Sequence, residues 1–169
     1  VETYHALEGT AIFLDCHSGE ILAAADYVAD GKNDAIKLRA VSNAFEPGSV
    51  FKIVTAAAVI DEKKYNLHER INCENGAWKL GRNVLHDDHR EGLLTFQEVF
   101  EKSSNIGTAK MALRIGGKKL SDAARRFGFG QRYFVGLPGE TPGAIGNPGK
   151  WSDYNVAALA MGHSVSVTA

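Results

Sequence analysis

The chain lacks most of the features that classify a protein quickly. It has two cysteines and four prolines in 169 residues. Cys16 and Cys73 do not have the close spacing of a metal-type pair. They read as two unpaired thiols, with a single disulfide as the alternative, so they leave the compartment open. Charge of one sign is also missing: 19 Lys and Arg face 20 Asp and Glu, for a net charge of −1 and a pI near 6.6. That balance excludes the basic field a nucleic-acid binder needs, and no Lys/Arg cluster reads as a membrane patch. The longest apolar-looking run, Ile53 to Ile60, has eight residues and includes Thr55. A membrane-spanning helix needs about 20. No charged-then-apolar leader stands at Val1. Both ends read as cuts through a longer protein, so a missing leader excludes little.

What is present suits one soluble domain. Apolar residues make up 44% and charged residues 23%, enough for a substantial core. The pattern predicts a strand over Thr10 to Cys16, a turn at His17-Ser18-Gly19 and a returning strand over Glu20 to Ala25. From Ser49 to Ile60 the sequence reads as a helix that is apolar almost all round, which predicts a place in the middle of the domain. Residues 65–94 show no clear period and predict loops with short strands. Thr95-Phe96-Gln97-Glu98 has capping-box spacing and predicts a short helix. Helices are expected over Ile106 to Ile115, Lys118 to Phe127 and Ser152 to Met161. Between Gly128 and Gly149, seven glycines and three prolines predict a long structured loop.

Chemistry is concentrated in two places. Ser49-Val50-Phe51-Lys52 puts a serine and a lysine about one helical turn apart on one face. A serine at a helix start is rigidly held near the positive end of the dipole. A lysine one turn on can take its proton once it is uncharged. A lone Ser-x-x-Lys is common by chance, but Lys52 interrupts an otherwise apolar helix. Burying an ammonium costs several kcal/mol unless it is paired or loses its proton. A cleft where Lys52 meets Ser49 and other polar groups solves this. Ser103-Ser104-Asn105, on a turn between two short helices, offers a hydroxyl and a carboxamide for that cleft.

Together these motifs resemble the active-site serine enzymes that bind penicillin, whose motif set includes Ser-x-x-Lys, a Ser-x-Asn type and Lys-Thr-Gly. The likeness extends over nearly the whole chain from Leu7. It takes in Gly9 to Ala25, Phe45-Glu46-Pro47-Gly48 before Ser49, Leu94 to Val99, Ile106-Gly107, Arg126 to Gly130, Leu137 to Glu140 and Gly162 to Thr168. It is nearest to class B, monofunctional penicillin-binding proteins. The resemblance implies an α/β domain of the serine β-lactamase/transpeptidase type: a helical cluster with a central buried helix against an antiparallel sheet that is incomplete in this chain. It implies Ser49 as nucleophile, Lys52 as base, Ser103 as proton relay and Asn105 as a holder of Lys52 and the substrate amide. The Ser49 N–H would be one oxyanion donor.

The third motif is missing. Lys79-Leu80-Gly81 comes before Ser103 and lacks the hydroxyl, and His17-Ser18-Gly19 precedes Ser49. Residues 1–169 are therefore expected to be a partial transpeptidase domain without its Lys-Thr/Ser-Gly segment, and inactive in isolation.

The implied activity is D,D-transpeptidation of peptidoglycan stem peptides, with β-lactams trapping Ser49 and no metal or organic cofactor. The implied parent is extracytoplasmic, on the periplasmic face, anchored in the cytoplasmic membrane and part of a cell-wall synthesis complex. A β-lactam-hydrolysing enzyme and a non-enzymatic β-lactam sensor of the same fold are the alternatives. Elsewhere, His86-Asp87-Asp88-His89 holds metal-ligand residue types but reads as a solvated loop. The glycines at 116–117 and 128–130 read as helix stops, not phosphate loops. Trp78 and Trp151 read as packing residues.

Overall fold

The first motif is split between a short turn after Pro47 and the ten-residue helix that follows it. In the computed structural model, which describes residues 3, 5–29, 38–63 and 65–169, Gly48–Phe51 forms a single 3-10 turn. The α-helix proper, α2, starts only at Lys52 and runs Lys52–Asp61. It follows a hairpin of β1 (Glu8–Leu14) and β2 (Ile21–Val28) and a short α1 (Arg39–Ser42). The hairpin is antiparallel, pairing Glu8 with Val28 and Ile12 with Ala24, and its register shifts between Phe13 and Leu14.

Residues 65–95 supply four short strands, as their missing period predicts. These are β3 (Arg70–Asn72), β4 (Ala77–Leu80), β5 (Asn83–His86) and β6 (Leu93–Thr95). β4 pairs with β5, and β3 pairs with β6, both antiparallel. Next come α3 (Phe96–Glu101), α4 (Asn105–Ile115) and α5 (Gly117–Arg126). The expected capping box at Thr95 and Glu98 is present in full. Within the long loop lies β7 (Ala144–Ile145), which pairs with β8 (Val165–Ser166) across α6 (Asp153–Ala160), and Ser152 caps α6. Helices and small antiparallel sheets thus make the expected α/β architecture.

The core lies among α2, α4, α5 and α6. Ile106, Ala109, Met111 and Ala112 of α4 are fully enclosed, with Val59, Leu120 and Leu159 packed around them. This corrects the placing of α2 as a helix buried all round. Its inner face holds Lys52, Val54, Thr55, Ala58 and Val59, while Ile53 is 65% and Ile60 53% exposed. The helix is apolar on both sides, but the described chain packs against only one, and α4 takes the central position. Thr55 Oγ1 donates to the carbonyl of Ala160 at 3.0 Å, tying α2 to α6. Phe51 meets Phe129 edge-on, ring centres 5.0 Å apart. Cys16 is exposed and Cys73 buried, and both are free thiols.

The turn before Ser49 is fixed by a close backbone approach. Gly48 N–H donates to Gly162 O at 3.1 Å, and Gly162 has φ +83°. A Cβ on Gly162 would stand 1.9 Å from the Gly48 carbonyl oxygen. Gly162→Ala is therefore expected to lower stability by about 1–3 kcal/mol. A urea melt reads this, and an unchanged midpoint would contradict the packing described.

Candidate active site

Among the described residues Lys52 is the only buried lysine, 4% exposed on the inner face of α2. Its Nζ lies against the turn between α3 and α4. It is 2.6 Å from Ser103 O, 2.9 Å from Ser103 Oγ and 2.7 Å from Asn105 Oδ1. Three oxygens match the three N–H groups of an ammonium. They also serve the neutral amine. Two N–H groups then go to the two carbonyl-type oxygens, and the lone pair accepts the Ser103 O–H. A half-turn of one hydroxyl therefore accommodates either protonation state.

The turn that supplies these oxygens is conformationally unusual. Ser103 sits in the left-handed region, φ +53°, which costs a residue with a Cβ about 1 kcal/mol or more. That conformation lets Ser103 present both its carbonyl and its hydroxyl to Lys52. Its N–H donates to Phe100 O, and the Ser104 N–H donates to Val99 O at 2.8 Å, so α3 anchors the turn. Ser104 is the N-cap of α4, accepting from Gly107 N–H. Asn105 opens the helix, and its Nδ2 donates to the His86 carbonyl at 2.8 Å. One carboxamide thus links β5 to α2.

Burial pulls the Lys52 amine from its ordinary value near 10.5 down to about 8, against the opposing charges of Asp87 and Asp88. A base at work near neutrality needs a lowered value of this kind.

Three of the four sequence-predicted residues, Lys52, Ser103 and Asn105, are brought together. Ser49 is held nearby but apart. It is exposed, and its carbonyl accepts the Lys52 N–H within the turn. Among the described residues its hydroxyl makes no hydrogen bond to Lys52 Nζ. Such bonds in unliganded sites often tighten only with substrate in place. The Ser49 turn is braced from the other side by Glu46. Its carboxylate accepts Ser164 N–H at 2.8 Å and lies 2.9 Å from His163 Nδ1. Those bonds to His163 and Ser164 hold the Glu46 carboxyl below its usual range.

Sequence reasoning missed Asp87. The pattern puts it in a solvated loop, yet its carboxylate accepts from Ser104 Oγ and from Ile106 N–H. Its position just beyond a strand end, facing a helix start, is a matter of tertiary structure that local pattern does not reveal. Among the described residues no group of three or more His, Cys, Asp or Glu is arranged to hold a metal.

An exposed serine one turn before a buried lysine of lowered pKa is equipped for acyl transfer. The comparisons agree with that class. The family model for the penicillin binding protein transpeptidase domain matches residues 9–169, and the chain belongs to that family. It is 33% identical over 175 residues to the probable peptidoglycan D,D-transpeptidase PenA of Neisseria gonorrhoeae, covering 99% of this chain and 30% of the relative. It is 38% identical over 169 residues to penicillin-binding protein PbpB of Mycobacterium tuberculosis, covering 94% of this chain and 25% of the relative. The apo structure of the TP domain from Burkholderia pseudomallei penicillin-binding protein 3 superposes with a TM-score of 0.89 at 29% identity. That match covers 99% of this chain and 48% of that one. The chain thus spans less than a third of the length of these curated relatives.

With Lys52 as base, only the neutral amine is productive, and its share grows as pH rises toward its pKa. In the full-length protein, acylation of Ser49 by a β-lactam should then climb roughly tenfold per pH unit below about 8 and level off above it. A rate that stays flat from about pH 6 to about pH 9 would contradict that assignment.

Proposed function

We propose that this chain is the Ser49-bearing part of a peptidoglycan D,D-transpeptidase, and that the whole protein cross-links cell wall. The observation that carries the proposal is the buried Lys52 amine, gripped by Ser103 and Asn105 one turn after an exposed serine. Ser49 Oγ attacks the carbonyl of the penultimate D-Ala of a stem peptide, and its proton passes to Lys52. The tetrahedral intermediate collapses, the peptide C–N bond breaks, and the departing D-Ala amine receives a proton from Lys52 by way of the Ser103 hydroxyl. An amine of a neighbouring stem peptide then attacks the acyl-enzyme. It gives up its proton along the same route, and Ser49 is released. The Ser49 N–H, in the 3-10 turn, is one donor to the oxyanion. A β-lactam enters the same sequence at the first step and stays bound to Ser49.

The second oxyanion donor and the Lys-Thr/Ser-Gly motif belong, in this reading, to a segment beyond the 169 residues. An incomplete cleft cannot preorganise the transition state, so the isolated chain is expected to be inactive. The same reading puts the working protein outside the cytoplasm, membrane-anchored and within a wall-synthesis complex. No helix among the described residues is long and apolar enough to cross a membrane.

Fluorescent penicillin tests the proposal on the full-length protein. It should form a long-lived adduct, lost in Ser49→Ala and slowed by about a hundredfold or more in Lys52→Ala. A Ser49→Ala protein that still labels would contradict it. Rapid turnover of a chromogenic cephalosporin would indicate a hydrolase instead.

A further inference from the structure

Asp87 stands just past β5 with its carboxylate turned toward the first turn of α4. Oδ2 accepts the Ser104 hydroxyl at 2.7 Å, and Oδ1 accepts the Ile106 N–H at 2.9 Å. The preceding carbonyl, that of His86, accepts Asn105 Nδ2–H. Residues 104, 105 and 106 are thus each bonded to one of two consecutive residues at the end of β5. The residues flanking Ser104 are Ser103 and Asn105, the two that grip Lys52 Nζ.

We propose that Asp87 is a positioning residue of the acyl-transfer site: by holding Ser104 and Ile106 it sets where Ser103 and Asn105 meet Lys52. The proposal rests on the reading of Ser49 and Lys52 as the acylating pair. Helix capping accounts for only half of the arrangement: Oδ1 takes the free Ile106 N–H, but Oδ2 takes the Ser104 hydroxyl, which is not one of the helix's unpaired backbone groups. Asp87 also orients the cap, accepting the Ser104 O–H so that the hydroxyl's lone pair faces Gly107 N–H. On the α3 side the turn is held by backbone bonds, and Asp87 closes the β5 side. Without it, Ser104 and Ile106 lose their link to β5, while Ser103 keeps a strained φ with less to enforce it.

Charge is the second way Asp87 acts on Lys52, and Asp88 shares it. Asp88 is exposed, and among the described residues it makes no hydrogen bond to α4. Cys73 packs beneath, its Sγ 3.3 Å from Ser104 Oγ. Burial raises its thiol, which also feels Lys110 and Glu91, so it adds no charge at neutral pH. Asp88 therefore separates the two effects experimentally: it has the charge without the bonds.

The test is β-lactam acylation of the full-length protein across a pH series for wild type, Asp87→Asn and Asp88→Asn. Asp87→Asn should lower the high-pH plateau by about tenfold and move the acid limb to lower pH, since a negative charge near Lys52 is gone. Asp88→Asn should move the limb the same way with the plateau within about twofold of wild type. A labelled wild type with an Asp87→Asn plateau at its level would overturn the proposal alone, as would equal plateau losses in the two variants. A wild type that does not label would sink the acyl-transfer reading, and this proposal with it. If Asp87→Asn fails to fold by thermal melt, Asp87→Glu carries the test. It keeps the charge and the Ser104 cap, displaces the carboxylate from Ser104 and Ile106, and should cost about threefold in plateau with little shift of the limb. An unchanged plateau there would overturn the proposal.

Discussion

A cation buried on the inner face of a helix is the constraint on which this structure turns. Lys52 shares its face of α2 with Val54, Thr55 and Val59, and an ammonium there costs several kcal/mol without partners. The partners come from 51 to 53 residues further along the chain. For them to arrive, α3 must stop at Lys102, Ser103 must adopt a left-handed backbone, and α4 must begin at Asn105. The two helix starts are locally specified: Ser104 caps α4, and the Thr95–Glu98 capping box fixes the start of α3. The packing of α2 against α4 then brings the amine to the oxygens.

That constraint has a chemical consequence. Desolvation favours the neutral amine, whereas Asp87 and Asp88 favour the ammonium. The balance near 8 leaves about a tenth of the amine neutral at pH 7, enough for a base that must both take and return a proton. Because the Ser103 hydroxyl can accept from the ammonium or donate to the amine, either protonation state fits without a rearrangement of heavy atoms. Ser49 meanwhile remains on the exposed side, where a substrate can reach it. Its turn is fixed by Glu46 and by the Gly48–Gly162 contact.

Much of this was legible in the sequence because it is written in local signals. The hairpin, the capping box and the helices after Ser104 follow from turn residues, caps and periodicity. Lys52, Ser103 and Asn105 came together as expected because a charged residue in an apolar helix demands partners, and one polar turn offered them. Three things were not legible. The exposure of Ile53 and Ile60 depends on which neighbours are available to α2, and composition cannot choose between faces that are equally apolar. Asp87 was misread because a carboxylate in a polar stretch looks solvated until the strand that ends there is known to abut a helix start. The left-handed Ser103 is likewise invisible to a propensity argument, which assigns that conformation to glycine and asparagine.

The central claim, that burial leaves Lys52 poised near neutrality, is most directly tested by an NMR titration of its side-chain carbon next to Nζ, assigned by loss of the signal in Lys52→Arg. The account predicts a midpoint at about 8, against the ordinary 10.5. A midpoint at the ordinary value would contradict it.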